Sequence, residues 1–231
     1  MIRLKNFLLL LSLVASSKSF AQDPMFSQVF VNKMVYNPAY TGNSIGVHGL
    51  MAHRSQWTSV PSAFNSSNIQ VTTAVPKAQA GLGGMVTQNI EGEGRLKTLS
   101  ADLVGSKMLR LIHNKNAKMF GYFGLGVSFN HKSINWGGLV FGDQLNPVSG
   151  ISNGTSQVQT PSEDTQTYPD FNSGVALKGV YKSLFYDFGF SVDHIVEPNE
   201  STLKTKEGRL PRKYISNIFF GIPLNKLLHK K

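Results

Sequence analysis

Leu184-Phe185-Tyr186-Asp187-Phe188-Gly189-Phe190-Ser191-Val192-Asp193-His194-Ile195 is the stretch on which the fold turns. Leu184, Tyr186, Phe188, Phe190 and Val192 are apolar or aromatic, and Asp187, Gly189, Ser191 and Asp193 between them are small or acidic. Successive side chains of an extended chain point to opposite faces, so this period of two describes a strand with one greasy and one polar face.

The alternation recurs outward from there. Val175, Leu177 and Tyr181 oppose Asn172, Gly174 and Lys178. Phe123, Leu125, Val127 and Phe129 oppose Gly124, Gly126, Ser128 and Asn130. Leu99, Ala101 and Leu103 oppose Thr98, Ser100 and Asp102, and Leu82, Val86 and Ile90 oppose Gly81, Gly83 and Thr87. Ile69, Val71 and Val75 oppose Asn68, Gln70 and Thr72, and Ile45, Val47 and Met51 oppose His48, Arg54 and Gln56. With a less regular segment at Arg212–Ile222, the pattern predicts about eight strands of about ten to thirteen residues.

Strands of soluble proteins cluster near five or six residues, whereas a tilted strand crossing a bilayer needs about nine to eleven. Periodicity alone leaves two architectures open. In a soluble sandwich the greasy face packs inward, and in an outer-membrane barrel it meets lipid while the polar face lines the lumen. Loop lengths favour the barrel. Thr58–Phe64, Lys132–Asp170 and Glu197–Pro211 form one set of connections, and Pro76–Lys77, Leu109–Lys118 and Lys182–Ser183 form a shorter set at the other end. Glu91–Gly94 is the exception among the longer set. Gly142–Thr167 reads as a long polar loop rich in Ser, Thr, Gln and Asn. The fold class expected is all-β, an antiparallel up-and-down outer-membrane β-barrel with about eight strands present, which leaves open a small closed barrel and an incomplete larger one.

The first 21 residues lie outside that fold. A basic start (Arg3, Lys5), the apolar run Phe7–Ala15 and Ser19-Phe20-Ala21 have the layout of a secretory leader cut before Gln22. Its loss removes Arg3, Lys5 and Lys18 and lowers the net charge from +10 to +7. The domains expected are a signal peptide (1–21), an N-terminal periplasmic lead-in (22–44), the barrel (45–222) and a basic tail (223–231).

Composition narrows the chemistry. The chain of 231 residues has no Cys, so disulfides, CxxC zinc sites and thiol nucleophiles are excluded. Only 16% of residues are charged, against about 25% in typical proteins, and Gly (22) and Phe (15) are plentiful, as a β-rich chain requires. His48, His53, His113, His131, His194 and His229 form no HxxxH or HExxH pattern. Gly81-Leu82-Gly83-Gly84 has no following Gly-Lys-Ser/Thr, so it reads as a place where a strand curves or is closely approached. Asp187 and Asp193 share a face, but about 20 Å of strand separates them, too far for a glycosidase pair. No enzyme activity, cofactor, metal or nucleic-acid partner is expected. Lys204, Lys206, Arg209, Arg212 and Lys213 read as a solvated charge run, with anionic lipopolysaccharide as the other reading.

Ordered blocks run along the mature chain: Gln22-Asp23-Pro24-Met25-Phe26-Ser27-Gln28, Tyr36-Asn37-Pro38-Ala39-Tyr40-Thr41-Gly42, His53-Arg54-Ser55-Gln56-Trp57, and Ala80-Gly81-Leu82-Gly83-Gly84. They continue with Pro169-Asp170-Phe171-Asn172-Ser173-Gly174, Ser191-Val192-Asp193-His194 and Leu210-Pro211-Arg212-Lys213-Tyr214. This set resembles the PorP/SprF family of outer-membrane proteins of the Bacteroidetes type IX secretion and gliding machinery. The resemblance implies a barrel that helps secrete substrate proteins such as adhesins, or anchor them at the surface. The partners it implies are outer-membrane lipid, periplasmic ring components and the secreted substrate. It also reads the chain as a member truncated after the Leu-Pro-Arg strand, so a non-functional product is one alternative; a diffusive porin or small-ligand transporter is another. The block residues Asn37, Pro38, Ala39, Gly42, Arg54, Gln56, Trp57, Asp170, Phe171, His194, Pro211 and Arg212 are the candidate structural or partner contacts. For Arg54 a lumenal pair with a carboxylate, beside an interfacial Trp57, is a simpler reading than a partner contact, and for Asn37-Pro38 a rigid turn at the barrel base is at least as good as a recognition element.

Overall fold

A computed structural model of the chain describes residues 25–59, 63–92, 96–114, 116–146, 150–151, 156, 164–202 and 208–223. The expected leader, most of the polar loop, Lys204, Lys206 and the tail beyond Pro223 lie outside these residues. Eight strands form one antiparallel sheet in up-and-down order. They are β1 (Val47–Gln56), β2 (Phe64–Val75), β3 (Ala80–Glu91), β4 (Leu96–His113), β5 (Ala117–Ser133), β8 (Thr165–Tyr181), β9 (Leu184–Asp193) and β10 (Lys213–Gly221). A two-residue ladder, β6 (Leu145–Asn146) with β7 (Gly150–Ile151), forms within the β5–β8 connection. The sheet curls into a half-barrel whose edges, β1 and β10, each pair on one side among the described residues. Among the described residues helix is limited to one α-turn, Lys33–Tyr36, and short 3-10 turns.

Three strands are longer than the alternation predicted. β4 has 18 residues, and β5 and β8 have 17 each. The expected turn Leu109–Lys118 is mostly strand: β4 runs to His113 through a register shift between Arg110 and Ile112. That bulge breaks the period of two, which hid the continuation from the sequence. β8 likewise begins at Thr165, so Pro169 and Asp170 lie inside it and not in the loop that was expected to reach Asp170. Pro169 cannot donate to a ladder, but β9 pairs only from Ser173 onward, so Pro169 occupies the part of β8 that has a neighbour on one side only.

Burial is inverted relative to a soluble protein. On the concave face Asn68 and Ser191 are 0% exposed and Asp187 is 1% exposed. On the convex face Met51 is 73% exposed and Leu103 71%. Phe188 stacks edge-to-face on Phe220 at 5.4 Å, and Phe190 stacks on Tyr214 at 6.3 Å, along the same outer surface. The sandwich alternative needs a second layer over these apolar residues, and the described residues supply none. Among the described residues two small apolar clusters form, Met34 with Met85 and Val104, and Ala39 with Tyr40 and Ala176, where the lead-in meets the concave face.

Candidate functional site

The concave face holds a guest from its own chain. The lead-in enters the half-barrel at Phe26, whose backbone N–H donates to the Tyr36 hydroxyl at 2.7 Å while that hydroxyl donates back to the Phe26 carbonyl at 2.9 Å. This closed loop buries both aromatic rings and presents Asn37-Pro38-Ala39-Tyr40-Thr41 to the strands. Asn37 folds its side chain back to accept from the Ala39 N–H at 2.9 Å, and Pro38 supplies the fixed φ that starts the 3-10 turn Pro38–Tyr40.

The polar groups of the turn reach several strands, the buried Thr41 hydroxyl excepted, which has no hydrogen-bond partner among the described residues. The Asn37 amide donates to the Val175 carbonyl on β8 at 3.2 Å and to the Phe190 carbonyl on β9 at 3.3 Å. Ser191 donates to the Tyr36 carbonyl at 2.6 Å, and Ser106 on β4 donates to the Thr41 carbonyl at 2.7 Å. Tyr40 donates to Asp187 at 2.6 Å and accepts from Asn217 on β10 at 2.7 Å. The second oxygen of Asp187 pairs with Lys33 at 3.0 Å, so this buried carboxylate is satisfied on both sides. Lys178 lies 4.4 Å from the centre of the Tyr40 ring and 5.1 Å from that of Tyr122, a cation–π arrangement roofing the turn. Burial raises the Tyr36 phenol above its ordinary pKa. Burial and then the hydrogen bond to Asp187 raise that of Tyr40 further.

Glycines on the polar face make the room. A methyl group at Gly124 would come within 2.2 Å of the Pro38 backbone, and one at Gly174 within 2.2 Å of the Asn37 side chain. One at Gly81 would meet the Thr41 carbonyl at 2.2 Å. The close approach expected at Gly81 comes from the lead-in and also from the neighbouring strand, where the Ser106 hydroxyl of β4 would lie 2.7 Å from an added methyl group. Across the mouth, Phe30 packs edge-to-face on Phe219 at 6.0 Å, and Phe219 on Phe185 at 6.1 Å. Asn32 reaches Asn68 at 3.4 Å, and Asn68 donates on to Thr87 at 2.8 Å.

The structure brings Asn37, Pro38, Ala39 and Gly42 together in this seat; Gly42 takes a left-handed φ of +61° where the chain leaves it toward β1. Arg54 faces the concave side as expected, but its guanidinium donates to the Met25 backbone carbonyl where a carboxylate was expected, so it holds the first described residues of the lead-in. Gln56 ends β1 opposite Phe64. Trp57, at a φ of +58°, is exposed and packs edge-to-face on Phe64 at 5.1 Å. Asp170 and His194 form a separate pair, Oδ2 to Nδ1 at 2.6 Å, near the longer loops. Phe171 faces outward. Pro211 is exposed, and Arg212 reaches the Ile195 carbonyl at 3.2 Å and Glu197 at 3.3 Å. Of the charge run, Arg212 and Lys213 are ion-paired, the latter with Asp193 at 3.0 Å. Sequence reasoning missed Lys33, Tyr36, Tyr40, Ser106 and Ser191 as parts of one seat; the signal available was glycine recurring on polar faces of several strands. Among the described residues no group of three or more His, Asp or Glu is placed to hold a metal ion. The arrangement gathers hydrogen bonds and ion pairs that fix a segment of chain.

No curated protein matches the chain. The family model described as type IX secretion system membrane protein PorP/SprF matches residues 18–230. That match covers nearly the whole sequence and coincides with a polar-inside, apolar-outside half-barrel, and the chain belongs to the PorP/SprF family of type IX secretion system membrane proteins.

Proposed function

We propose that this protein is an outer-membrane, non-enzymatic component of the type IX secretion and gliding machinery of a Bacteroidetes cell, delivered by its leader, that helps export or surface-anchor adhesin-type proteins. Its partners are lipid on the convex face, periplasmic ring components, and the exported substrate. The observation that carries the reading is the family match over residues 18–230. The inverted burial supports the membrane half of it, because exposed Leu103 and Met51 with buried Asp187 suit lipid outside and polar groups inside.

A diffusive porin is the competing reading. The seated lead-in weighs against it, since Asn37–Thr41 occupies the part of the concave face along β8 and β9 that a pore would leave open to water. Gene deletion with complementation tests the proposal: surface adhesin and colony spreading are expected to fall and to return with the intact gene. Normal display and spreading in a strain without a second family member overturn it. Steady single-channel conductance in planar bilayers would favour the porin.

A further inference from the structure

The convex face carries a hollow with no counterpart in the seat. Gly84 on β3 and Gly105 on β4 are diagonal neighbours, and around them Val71, Leu82, Leu103 and Leu125 wall an apolar depression of about 1020 Å³. These two glycines are not needed by the backbone. Neither has a left-handed φ, and a methyl group would meet nothing nearer than 3.7 Å at Gly84 or 3.9 Å at Gly105. Their lack of side chains leaves space open to the outside, unlike Gly124 and Gly174, which are filled from within.

The hollow ends in positive charge. Lys107, on the same outward face and four residues along β4 from Leu103, stands about 13 Å away at the short-turn end. Its ammonium donates to the Ala78 carbonyl, in the turn that also carries exposed Lys77. The charge at that rim is one-sided: residues 70–82, 107–114, 116–121 and 179–186 hold Lys77, Lys107, Arg110, Lys118 and Lys182 and no Asp or Glu, and the next pair inward, Lys178 opposite Asp187, lies on the concave face. The described acids outside the strand centres, including Glu91, Asp164, Glu197 and Glu200, lie at the opposite, long-loop end.

An apolar trough lined at one end by Lys107, with exposed Lys77 in the adjoining turn, has the polarity of one molecule class. We propose that this hollow seats one anionic phospholipid, an acyl chain lying along Leu82 and Leu103 and the phosphodiester held by Lys107 and Lys77. The inference rests on the reading that the convex face meets lipid. It adds a defined site within that face, in the leaflet at the short-turn end. A protein helix would fill the trough but has no need of the lysines; an acidic protein would use the lysines but not the trough.

The test uses the full chain in nanodiscs with phosphatidylglycerol carrying a photoactivatable group on its acyl chain, and the same probe on phosphatidylcholine. Cross-links are expected to concentrate on Leu82 and Leu103, with phosphatidylglycerol favoured. Lys77→Gln and Lys107→Gln are expected to lower phosphatidylglycerol labelling about fivefold each while leaving phosphatidylcholine labelling unchanged. Gly105→Leu, which fills the trough, is expected to lower both. Even labelling over the convex face, or equal labelling in all variants, overturns the lipid seat and leaves the membrane reading standing. So does retention of an acidic protein through Lys77 and Lys107 with no change in lipid labelling. Release of the unaltered chain from bilayers by alkaline carbonate overturns both.

Discussion

The Tyr40 hydroxyl donates to the Asp187 carboxylate at 2.6 Å, joining the lead-in to β9 across 147 residues of sequence. Asp187 is held from its other side by Lys33, so one buried carboxylate fixes two points of the same guest segment. Asp187→Ala leaves Lys33 without its partner, a loss of about 3–5 kcal/mol for a buried pair, reduced because Lys33 is about one-third exposed. Tyr40→Phe removes one charge-assisted hydrogen bond, about 1.5–3 kcal/mol. Both are expected to lower the temperature of heat-induced gel shift, Asp187→Ala more. Unchanged midpoints in both would mean the seat contributes nothing to stability.

Alkali should loosen the seat. Burial, and then Asp187, raise the Tyr40 pKa in the seated state, and a released Tyr40 ionises near 10. Above about pH 10 the released form sheds a proton that the seated form keeps, so stability that is full below that pH falls as pH rises toward the seated value. Tyrosinate absorbance is expected to rise in two phases, with Tyr36 and Tyr40 in the late one. Tyr40→Phe should shrink the late phase, and a single phase common to all seven tyrosines would contradict the argument.

Room at the glycines is a separate requirement. Gly174→Ala places a methyl group against the Asn37 side chain, and Gly124→Val does so against the Pro38 backbone. The lead-in is then expected to become cleavable by protease while the sheet still partitions with membranes. Gly49→Ala, which meets nothing within 4 Å, is the matched control and should stay resistant.

Trp57 and Arg212 differ in kind. Trp57 is exposed, and the Arg212 pair with Glu197 is largely solvated, so Trp57→Ala and Arg212→Gln should each cost no more than about 1 kcal/mol. A fall in adhesin display with the heat-shift midpoint unchanged would mark these residues as partner contacts. Display that stays normal would leave them with a local role at the strand ends.

Legibility of the fold followed the period of two. Phe188 and Phe190 opposite Asp187 and Ser191 gave the faces of β9 directly, and the same reasoning placed all eight long strands. It failed where the period slips, at the Arg110–Ile112 register shift, and where a residue argues against its own setting, as Pro169 does inside β8. The seat was legible only in fragments. Asn37-Pro38 read as a turn and Asp187 as a lumenal group, but nothing local to either residue says that they meet. Their meeting depends on the curl of the sheet, which brings β4, β8, β9 and β10 around one short segment.

The same long-range closure imposes a calendar on maturation. The lead-in is synthesised before any strand, yet its ties to Ser191 and Asn217 span 155 and 177 residues. β4 and β8 supply part of its berth, but the berth is complete only once β9 and β10 have been made. The lead-in is thus made early and secured late.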